Sequence, residues 1–345
     1  MSKKEKTTIY DISRRLNISA ATVSRALNNS NRVSKATREK VLKIVKELNY
    51  QQNSLAVALK SGRTFNVGVV VPLINRAFFA SVIRGIEEEL EPKGYHVIIC
   101  QTHEDADKEA RQLQALLNTN IDGVFISVSK TTEDLKHLEA VLQAKTPLIF
   151  FDRKKDLKGV SAVSIDDFQG AYDAVCHLIE QGYSKIVHLG GDRKLNIYED
   201  RYRGYIAALE AHGLSTQNLF TLQMSSTIES GIEAVNQLYD SKTDFDAIFC
   251  ASDYIALGCV QELRSRGIQI PQEVGVVGFS NEPFTSHLEH PLSTVGQTPV
   301  LMGKMAAQVF LEQINAGKDS DPIEKSVVLK PELFTRSTSL KKGIL

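Results

Sequence analysis

An N-terminal segment of the chain carries side chains suited to hydrogen bonding with nucleic-acid bases. At helical spacing, one side of this segment presents Ala20, Ala21, Ser24, Arg25 and Asn28, which are small or hydrogen-bonding residues. In the DNA major groove, an alanine methyl can contact a thymine methyl, and an arginine can bond the O6 and N7 atoms of guanine. The pattern predicts a helix face that reads base pairs, with Arg25 as its principal base reader.

Two short helices joined by a turn are predicted to hold this face in place. Ile9, Ile12 and Leu16 lie at helical spacing, and Asn17 then suits a left-handed turn. Ser19 is a favourable N-cap for a second helix. The inner face of the second helix, which can pack on the first, is formed by Val23, Ala26 and Leu27. The arrangement predicts a helix-turn-helix.

A third helix is predicted to begin near Ser34 and to close a small core. Its apolar stripe at i, i+3, i+4 and i+7 consists of Val41, Ile44, Val45 and Leu48. Its lysines, which would stay in solvent or near phosphates, are Lys35, Lys40, Lys43 and Lys46. A helical hairpin used only for protein contacts would share the apolar pattern, but the short turn, the small-residue face and the basic charge favour DNA binding.

The formal net charge of zero hides an uneven distribution along the chain. Residues 1–64 contain 14 Lys and Arg against 4 Asp and Glu, whereas the remaining residues contain 27 against 37. The first segment therefore carries a net charge of +10 and the rest a net charge of −10. A basic segment that is also periodically apolar is typical of a folded, polyanion-binding head on an acidic body.

Residues 65–345 show the pattern of an α/β fold. Short unbroken apolar runs recur, as expected for strands buried on both faces, and amphipathic helical segments separate most of them. Several of these segments end at a glycine followed by an apolar residue: Gly94, Gly182, Gly213 and Gly267. The predicted strands are Val67 to Val71, Val97 to Ile99, Val124 to Ile126, Leu148 to Phe151, Ile186 to Leu189, Ala247 to Cys250 and Val274 to Val277. The alternation predicts two doubly wound parallel sheets covered by helices.

Polar residues that follow the predicted strands are candidates for binding a small molecule. Open parallel sheets bind ligands at the carboxyl ends of their strands. The candidates are Asp152, Arg153, Asp192, Ser252, Asp253, Ser280 and Asn281. Each could equally serve in a loop or as a helix cap, so the prediction depends on the whole set.

The segment Thr8 to Asn28, with the sequence TIYDISRRLNISAATVSRALN, resembles the DNA-binding head of the lactose and galactose repressor (LacI/GalR) family. Ser13, Leu16 and Asn17 stand where that family more often has Ala, Ala and Gly, which alters helix packing rather than the reading face. The resemblance implies a bacterial transcription regulator that binds a near-palindromic operator as a dimer. The predicted DNA contacts are Ile9, Tyr10, Ser19, Ala20, Ala21, Thr22, Ser24, Arg25, Asn28, Arg32, Ala56 and Leu59.

The segment Asn53 to Lys60 resembles the hinge helix of the same family. Its eight residues are too few for a stable isolated helix, which needs about 12 to 15 residues, so it should fold only against a partner. In the family, two hinge helices pair in the minor groove and a leucine from each opens the central base step, which kinks the duplex. Leu59 occupies that position here, while Gln52 replaces the usual proline before the hinge.

The body also resembles this family and, more distantly, periplasmic sugar-binding proteins, through residues 200–205, 251–253 and 270–279. The resemblance implies a bilobed body with crossing segments, a ligand in the cleft and a dimer interface along the N-terminal lobe. Arg201 would contact ligand hydroxyls or a carboxylate, and Phe78 and Phe79 would form an apolar wall, for which core packing is an equal alternative. Ser280 stands where the family frequently has aspartate and offers one neutral hydroxyl instead.

Three segments are therefore predicted along the chain. A helix-turn-helix head covers residues 1–52, a hinge and linker cover 53–64, and an effector-binding and dimerisation domain covers 65–345. Within this domain we expect an N-lobe at about 65–163 and 293–323 and a C-lobe at about 164–292 and 324–345. The expected partners are double-stranded operator DNA, a small-molecule effector such as a sugar or sugar derivative, and one or more further copies of the chain.

Enzymatic chemistry is not indicated by the sequence. It contains no G-x-x-x-x-G-K-[ST], G-x-G-x-x-G, G-x-S-x-G or H-E-x-x-H motif. Cys100, Cys176, Cys250 and Cys259 form no C-x-x-C pair, which argues against a zinc cage or a disulfide framework. We therefore expect no catalytic residue, metal site or cofactor.

No targeting or membrane segment is recognisable. The polar N-terminus lacks an apolar signal core, and no stretch approaches the ~20 apolar residues that span a bilayer, so a cytoplasmic protein is expected.

Two alternatives to the regulator remain: a sugar-binding protein without a DNA role, and a small-molecule enzyme on the same α/β fold. Release from DNA and recruitment to DNA by the effector both fit the sequence.

The hinge resemblance generates a prediction for Leu59. Leu59→Ala should weaken specific operator binding and leave the fold intact, because a leucine at this position opens the central base step. A gel-shift assay at controlled salt measures the operator affinity, and circular dichroism checks the fold. Unchanged operator affinity would contradict the proposed role of Leu59.

Overall fold

The structure, a computed structural model, describes residues 7–27, 30–50, 62–216, 221–316 and 324–341. Internal contacts divide the chain into two compact units, residues 1–64 and 65–345. The predicted hinge at residues 53–60, with Ala56 and Leu59, lies outside the described residues, as does Asn28. Among the described residues, no helix is both long and apolar enough to cross a membrane.

Three helices form the described part of the first unit: α1 (Ile9–Leu16), α2 (Ala20–Leu27) and α3 (Lys35–Glu47). Thr8 caps α1 through a reciprocal pairing with Asp11, whose carboxylate accepts hydrogen bonds from the Thr8 N–H at 2.8 Å and hydroxyl at 2.7 Å. Asn17 ends α1 in the left-handed conformation, with φ of 51°. The Ser34 hydroxyl caps α3 by accepting from the N–H of Thr37. The predicted turn and helix starts therefore match the structure.

The core of the first unit joins all three helices. Ile12, Val23, Ala26 and Val41 are fully buried in it. The rest of the predicted stripes packs around these four residues in partly buried positions: Ile9, Leu16, Leu27, Ile44, Val45 and Leu48. This small core fixes α2 against its neighbours and leaves the other side of α2 open.

The first lobe of the second unit is built on a parallel sheet. Its strands are β1 (Asn66–Val71), β2 (His96–Gln101), β3 (Gly123–Ile126), β4 (Leu148–Phe151), β5 (Ser161–Ile165) and β11 (Ser326–Leu329). Within the described residues their order is β11-β5-β4-β3-β1-β2, with parallel pairing throughout. The helices of this lobe are α4 (Ala77–Leu90), α5 (Ala106–Asn118), α6 (Lys136–Gln143) and α11 (Pro299–Ala316).

The second lobe repeats this architecture. Its strands are β6 (Ile186–Gly190), β7 (Thr221–Gln223), β8 (Ala247–Cys250), β9 (Gly275–Ser280), β10 (Ser293–Gly296) and β12 (Glu332–Phe334). Their order in the described chain is β12-β10-β9-β8-β6-β7, and only β12 runs antiparallel to its neighbour. The helices are α7 (Asp167–Glu180), α8 (Asn196–Ala211), α9 (Ile228–Asp240) and α10 (Asp253–Ser265). The predicted α/β class with two doubly wound sheets is confirmed.

The chain crosses between the lobes after β5, after β10 and after β11, and this corrects the predicted lobe boundaries. Residues 293–296 were assigned to the N-lobe, but Ser293 pairs with Val277 in the second sheet. Residues 326–329 were assigned to the C-lobe, but Val327 pairs with Val163 in the first sheet. Which sheet a short strand joins depends on its pairing partner, and no local pattern in the sequence records that partner.

Strand β2 departs from the prediction that the strands are buried on both faces. It forms the edge of the first sheet, and Ile98 and Ile99 are 36% and 50% exposed. The prediction failed here because an apolar run looks alike in a central strand and in an edge strand. Five further strands were missed, namely β5, β7, β10, β11 and β12, since they are short or interrupted by polar residues.

Close helix contacts in the first lobe depend on two glycines. A Cβ atom built on Gly85 of α4 would lie 2.1 Å from the carbonyl oxygen of Val300, and one built on Gly303 of α11 would lie 2.1 Å from that of Val82. Neither backbone can retreat without separating the two helices. The absent side chains therefore set the distance between α4 and α11.

Gly303→Ala should destabilise the body by about 1–3 kcal/mol, because the added methyl overpacks the contact between α4 and α11. Urea unfolding followed by circular dichroism measures the free energy of unfolding. Gln308→Ala, at an exposed position of the same helix, is the control and should change it little. Equal stability of the two variants would contradict the packing role of Gly303.

Candidate functional site

The open side of α2 presents most of the predicted base-contacting residues. Ala21 and Arg25 are exposed, Ala20, Thr22 and Ser24 are partly exposed, and the guanidinium of Arg25 has no partner among the described residues. Arg25 is therefore free to bond a base edge.

Other predicted DNA contacts surround this face. Tyr10 is 65% exposed, and Ser19 and Arg32 are exposed. The Ser19 hydroxyl accepts from the N–H of Thr22 at 3.1 Å and so starts α2. Ile9 packs in a partly buried position against the core of the head, as its place in the predicted apolar stripe implies, and its contact with DNA stays a prediction.

A cavity of about 560 Å³ lies between the two lobes of the body. It is lined by the residues that follow the strands of both sheets, as expected for open parallel sheets. Its cationic lining residues are Arg76, Lys130, Arg153 and Arg201, and its anionic ones are Glu104, Asp152, Asp192 and Glu282. Among the described residues, no group of His, Cys, Asp and Glu side chains is arranged to hold a metal ion.

Eight of the ten residues predicted for ligand binding line this cavity: Phe78, Phe79, Asp152, Arg153, Asp192, Arg201, Ser252 and Ser280. Phe78 and Phe79 meet edge to face with ring centroids 5.2 Å apart and contribute an apolar wall. Both rings also belong to the core of the body, as the alternative of core packing predicts, while their contact with a ligand stays a prediction.

Asp253 and Asn281 do not line the cavity, which corrects the prediction. Asp253 is fully buried and accepts hydrogen bonds from the Thr294 hydroxyl at 2.5 Å and from the N–H of Glu282 at 2.7 Å. The Asn281 side-chain oxygen accepts from Arg336 at 2.8 Å. Both side chains turn away from the cavity because their partners on β10 and beyond β12 hold them.

Arg201 of α8 is buried at the floor of the cavity. Its guanidinium donates to the Asp167 carboxylate at 2.7 Å and to the carbonyl of Ala251 at 2.7 Å. The guanidinium also stacks on Phe279, with 3.7 Å between Cζ and the ring centroid. Burial raises the pKa of Asp167 to about 7, although the charge of Arg201 opposes the rise. Hydrogen bonds to Asp167 and Ala251 and stacking on the Phe279 ring therefore hold the Arg201 guanidinium in place.

The adjacent residues Asp152 and Arg153 line the cavity from the first lobe. Arg153 donates to both carboxylate oxygens of Glu104, at 3.0 and 2.8 Å, and its buried Nε atom has no hydrogen-bond partner in the described chain. Within the described part of the chain, the Asp152 carboxylate accepts only a long hydrogen bond, of 3.5 Å, from Ser127, and burial raises its pKa. The Arg153 Nε atom lies 3.9 Å from the Asp152 carboxylate in a long ion pair, so the carboxylate keeps hydrogen-bond acceptor capacity for a ligand.

Backbone strain coincides with the cavity at two strand ends. Asp152 follows β4 with φ of 61°, and Ser280 ends β9 with φ of 123°. Residues other than glycine rarely adopt such angles, and strain of this kind collects at ligand sites because the surrounding structure must enforce it. Both positions line the cavity, one from each lobe.

Two residues that sequence reasoning missed, Arg76 and Glu282, join the lobes beside the cavity. Arg76 precedes α4, donates to the carbonyl of Ser226 at 2.7 Å and lies 3.9 Å above the ring of Tyr254. Glu282 is 6% exposed; burial raises its pKa, while the charge of Arg76 and a hydrogen bond from the N–H of Phe78 oppose the rise. A run of polar residues after β9 was the one available signal for Glu282.

The comparisons with characterised proteins cover almost the whole chain. Residues 8–53 match the family model described as bacterial regulatory proteins, lacI family. Residues 64–329 match the model described as periplasmic binding proteins and sugar binding domain of LacI family.

Individual relatives agree with these matches. The HTH-type transcriptional regulator RegA of Clostridium saccharobutylicum is 32% identical over 97% of this chain and 99% of its own. Catabolite control protein A of Priestia megaterium is 31% identical over 96% and 99%. The solved structure of the transcriptional regulator CelR with cellobiose is 29% identical, with a TM-score of 0.73, over 96% of this chain and 100% of its own.

Burial of Asp253 gives the body a distinctive pH dependence. Its pKa is raised from 3.8 to about 7, so the folded state holds a proton that the unfolded state releases between these pH values. Stability should therefore fall as pH rises through this window and level off above about pH 7. Asp253→Asn should lessen this fall, since the neutral amide pays no such penalty and can still bond Thr294 and Glu282.

Thermal unfolding midpoints at pH 5 and pH 8 measure this effect for the native chain and the asparagine variant. Asp240→Asn, at an exposed position of the same lobe, is the control and should follow the native chain. If the Asp253 variant showed the same difference between the two pH values as the native chain, the buried proton would be ruled out.

Proposed function

Because the chain belongs to the lacI family of bacterial regulatory proteins, we propose that it is a ligand-responsive transcriptional regulator that binds a specific operator. The observation that carries the proposal is the presence of two separate surfaces in one chain: an exposed base-contacting face around Arg25 and a polar cavity between two lobes. A sugar-binding protein without a DNA role has no use for the first surface. The curated relatives named above are regulators rather than enzymes.

The effector proposed for the cavity is a sugar or sugar derivative. The cavity combines an aromatic wall at Phe78 and Phe79 with hydrogen-bonding side chains at Asp152, Arg201 and Ser280, and this mixture suits a ring with several hydroxyls. The sugar-binding description of the matched family model and the cellobiose in the related CelR structure support this class. The regulated genes would then serve carbohydrate utilisation, and repression is the proposed mode.

A homodimer is the proposed DNA-binding form. The exposed isoleucines Ile98 and Ile99 on the edge strand β2 offer apolar area to a second copy along the first lobe. Two heads would then contact the two halves of a near-palindromic operator in the cytoplasm, each with α2 in a major groove.

Coupling between the effector and DNA would pass through the three crossing segments. A ligand that changes the separation of the lobes would change the spacing of the two hinge segments in the dimer. Allosteric coupling typically amounts to about 1–3 kcal/mol, which changes operator affinity by roughly 5- to 150-fold. A thermal-shift screen of sugars tests the effector, since ligand at about 100 times its Kd adds about 2.7 kcal/mol of stability.

The DNA function is tested at Arg25. Arg25→Ala should relax the preference for one base pair by about 1–3 kcal/mol, because the arginine bonds a guanine edge. Selection of binding sites from a randomised DNA pool measures the preference at each position.

Lys40→Ala is the matched control, since it removes one positive charge from an exposed site on α3. It should weaken binding evenly across sequences or leave it unchanged. If Arg25→Ala left the selected sites unaltered, Arg25 would not read a base. If the native chain retarded no DNA at all, the proposed function would be wrong.

A further inference from the structure

One corner of the cavity has the features of an anion-binding site. Helix α4 begins there at Ala77, and the first N–H groups of a helix have no partner within the helix and carry partial positive charge. Arg76 immediately precedes the helix and provides no side-chain cap, and its guanidinium lines the cavity. A phosphate or carboxylate from a ligand would find two favourable partners in this corner.

The protein itself supplies an anion to this corner from the opposite lobe. Glu282, Arg76 and Phe78, which lies in the first turn of α4, line the cavity together, and the N–H of Phe78 and the charge of Arg76 both oppose the rise in the Glu282 pKa that burial causes. Its backbone is fixed, since its N–H donates to Asp253 at 2.7 Å and its carbonyl accepts from the Thr285 hydroxyl at 2.7 Å. With 6% exposure, Glu282 is held in this position rather than free in solvent.

The other guanidinium groups of the cavity are neutralised in the same way. Arg153 bonds both oxygens of Glu104, and Arg201 bonds Asp167. Lys130 is exposed at the cavity surface. Among the described residues, the Asp152 and Asp192 carboxylates accept no hydrogen bond from a cationic side chain, and Asp152 has only a long ion pair, of 3.9 Å, with the Nε atom of Arg153. The hydrogen-bonding capacity left for a ligand is therefore mainly that of acceptors, which suit hydroxyl groups.

We propose that Glu282 is a specificity-determining residue that fills the anion-binding corner of the cavity and selects uncharged ligands over phosphorylated or acidic ones. This inference rests on the proposed role of the cavity as the effector site. A ligand phosphate placed at the start of α4 would lie beside the Glu282 carboxylate. Like charges at such short range repel strongly in a site shielded from water, whereas a neutral sugar meets no such repulsion.

Glu282→Gln tests the proposal with inorganic phosphate as the probe. The glutamine has the shape of glutamate and keeps an oxygen that can accept from the N–H of Phe78, but it removes the negative charge. In calorimetric titrations of the full-length chain, the variant should bind phosphate at least about tenfold more tightly than the native chain. The native chain should show little or no saturable binding.

Two further variants make the result specific. Glu210→Gln removes one negative charge from an exposed position of the same lobe and should not gain phosphate binding. The double variant Arg76→Gln, Glu282→Gln removes the cation of the corner as well and should lose the gain. A gain that persists in the double variant, or equal phosphate affinity of the native chain and Glu282→Gln, would overturn the proposal.

A separate arm keeps the proposal testable if Glu282→Gln does not fold. The native chain is screened by thermal shift with pairs of neutral hexoses and their phosphate esters. Stabilisation by an ester and not by its parent sugar would overturn the selection by Glu282. Gel-shift assays on the same preparations test the proposed function independently, because loss of operator binding would leave the phosphate result unaffected.

Discussion

Arg201 lies buried between the Asp167 carboxylate and the ring of Phe279, and much of the cavity is organised by the cost of burying charges of this kind. A buried ion is tolerated only where a counter-charge and hydrogen bonds replace its lost water. Arg153 meets this requirement through Glu104. Each such ion pair joins two segments that are distant in the sequence. The pairs that neutralise the buried charges therefore also hold the segments of the cavity wall together.

Contacts of charged side chains also connect the two lobes. Arg76 belongs to the first lobe, and its partners Ser226, Tyr254 and Glu282 belong to the second. On an exposed flank, Lys194 of the second lobe pairs with Glu133 of the first at 2.7 Å. Arg76 is only partly exposed, so its contacts with Ser226 and Tyr254 should contribute more to the arrangement of the lobes than the exposed pair, which solvent screens. A ligand in the cavity therefore acts on an existing balance of contacts between the lobes.

The strands and helix ends of the body could be predicted where a short stretch of sequence contains the pattern that identifies them. Seven apolar runs predicted seven strands, and the glycines at 94, 182, 213 and 267 all adopt positive φ at the ends of helical segments. Strands β5 and β10 were not predicted because polar residues interrupt their apolar runs. These residues are Ser161, Ser164, Ser293 and Thr294, and all four are buried in the structure. Burial of these hydroxyl-bearing residues depends on hydrogen-bond partners that the sequence does not place.

The sequence by itself determined the helix-turn-helix, the open face around Arg25, the α/β class and most of the residues at the strand ends. These features follow from periodicity and residue chemistry over a few turns of helix or one strand. The tertiary structure decided which strand-end residues line the cavity, so that Ser280 does and the neighbouring Asn281 does not. It also decided that Glu282 lies at the start of α4, some 200 residues away in the chain. Such contacts depend on the pairing of strands and the crossing of segments between lobes, which no local pattern records.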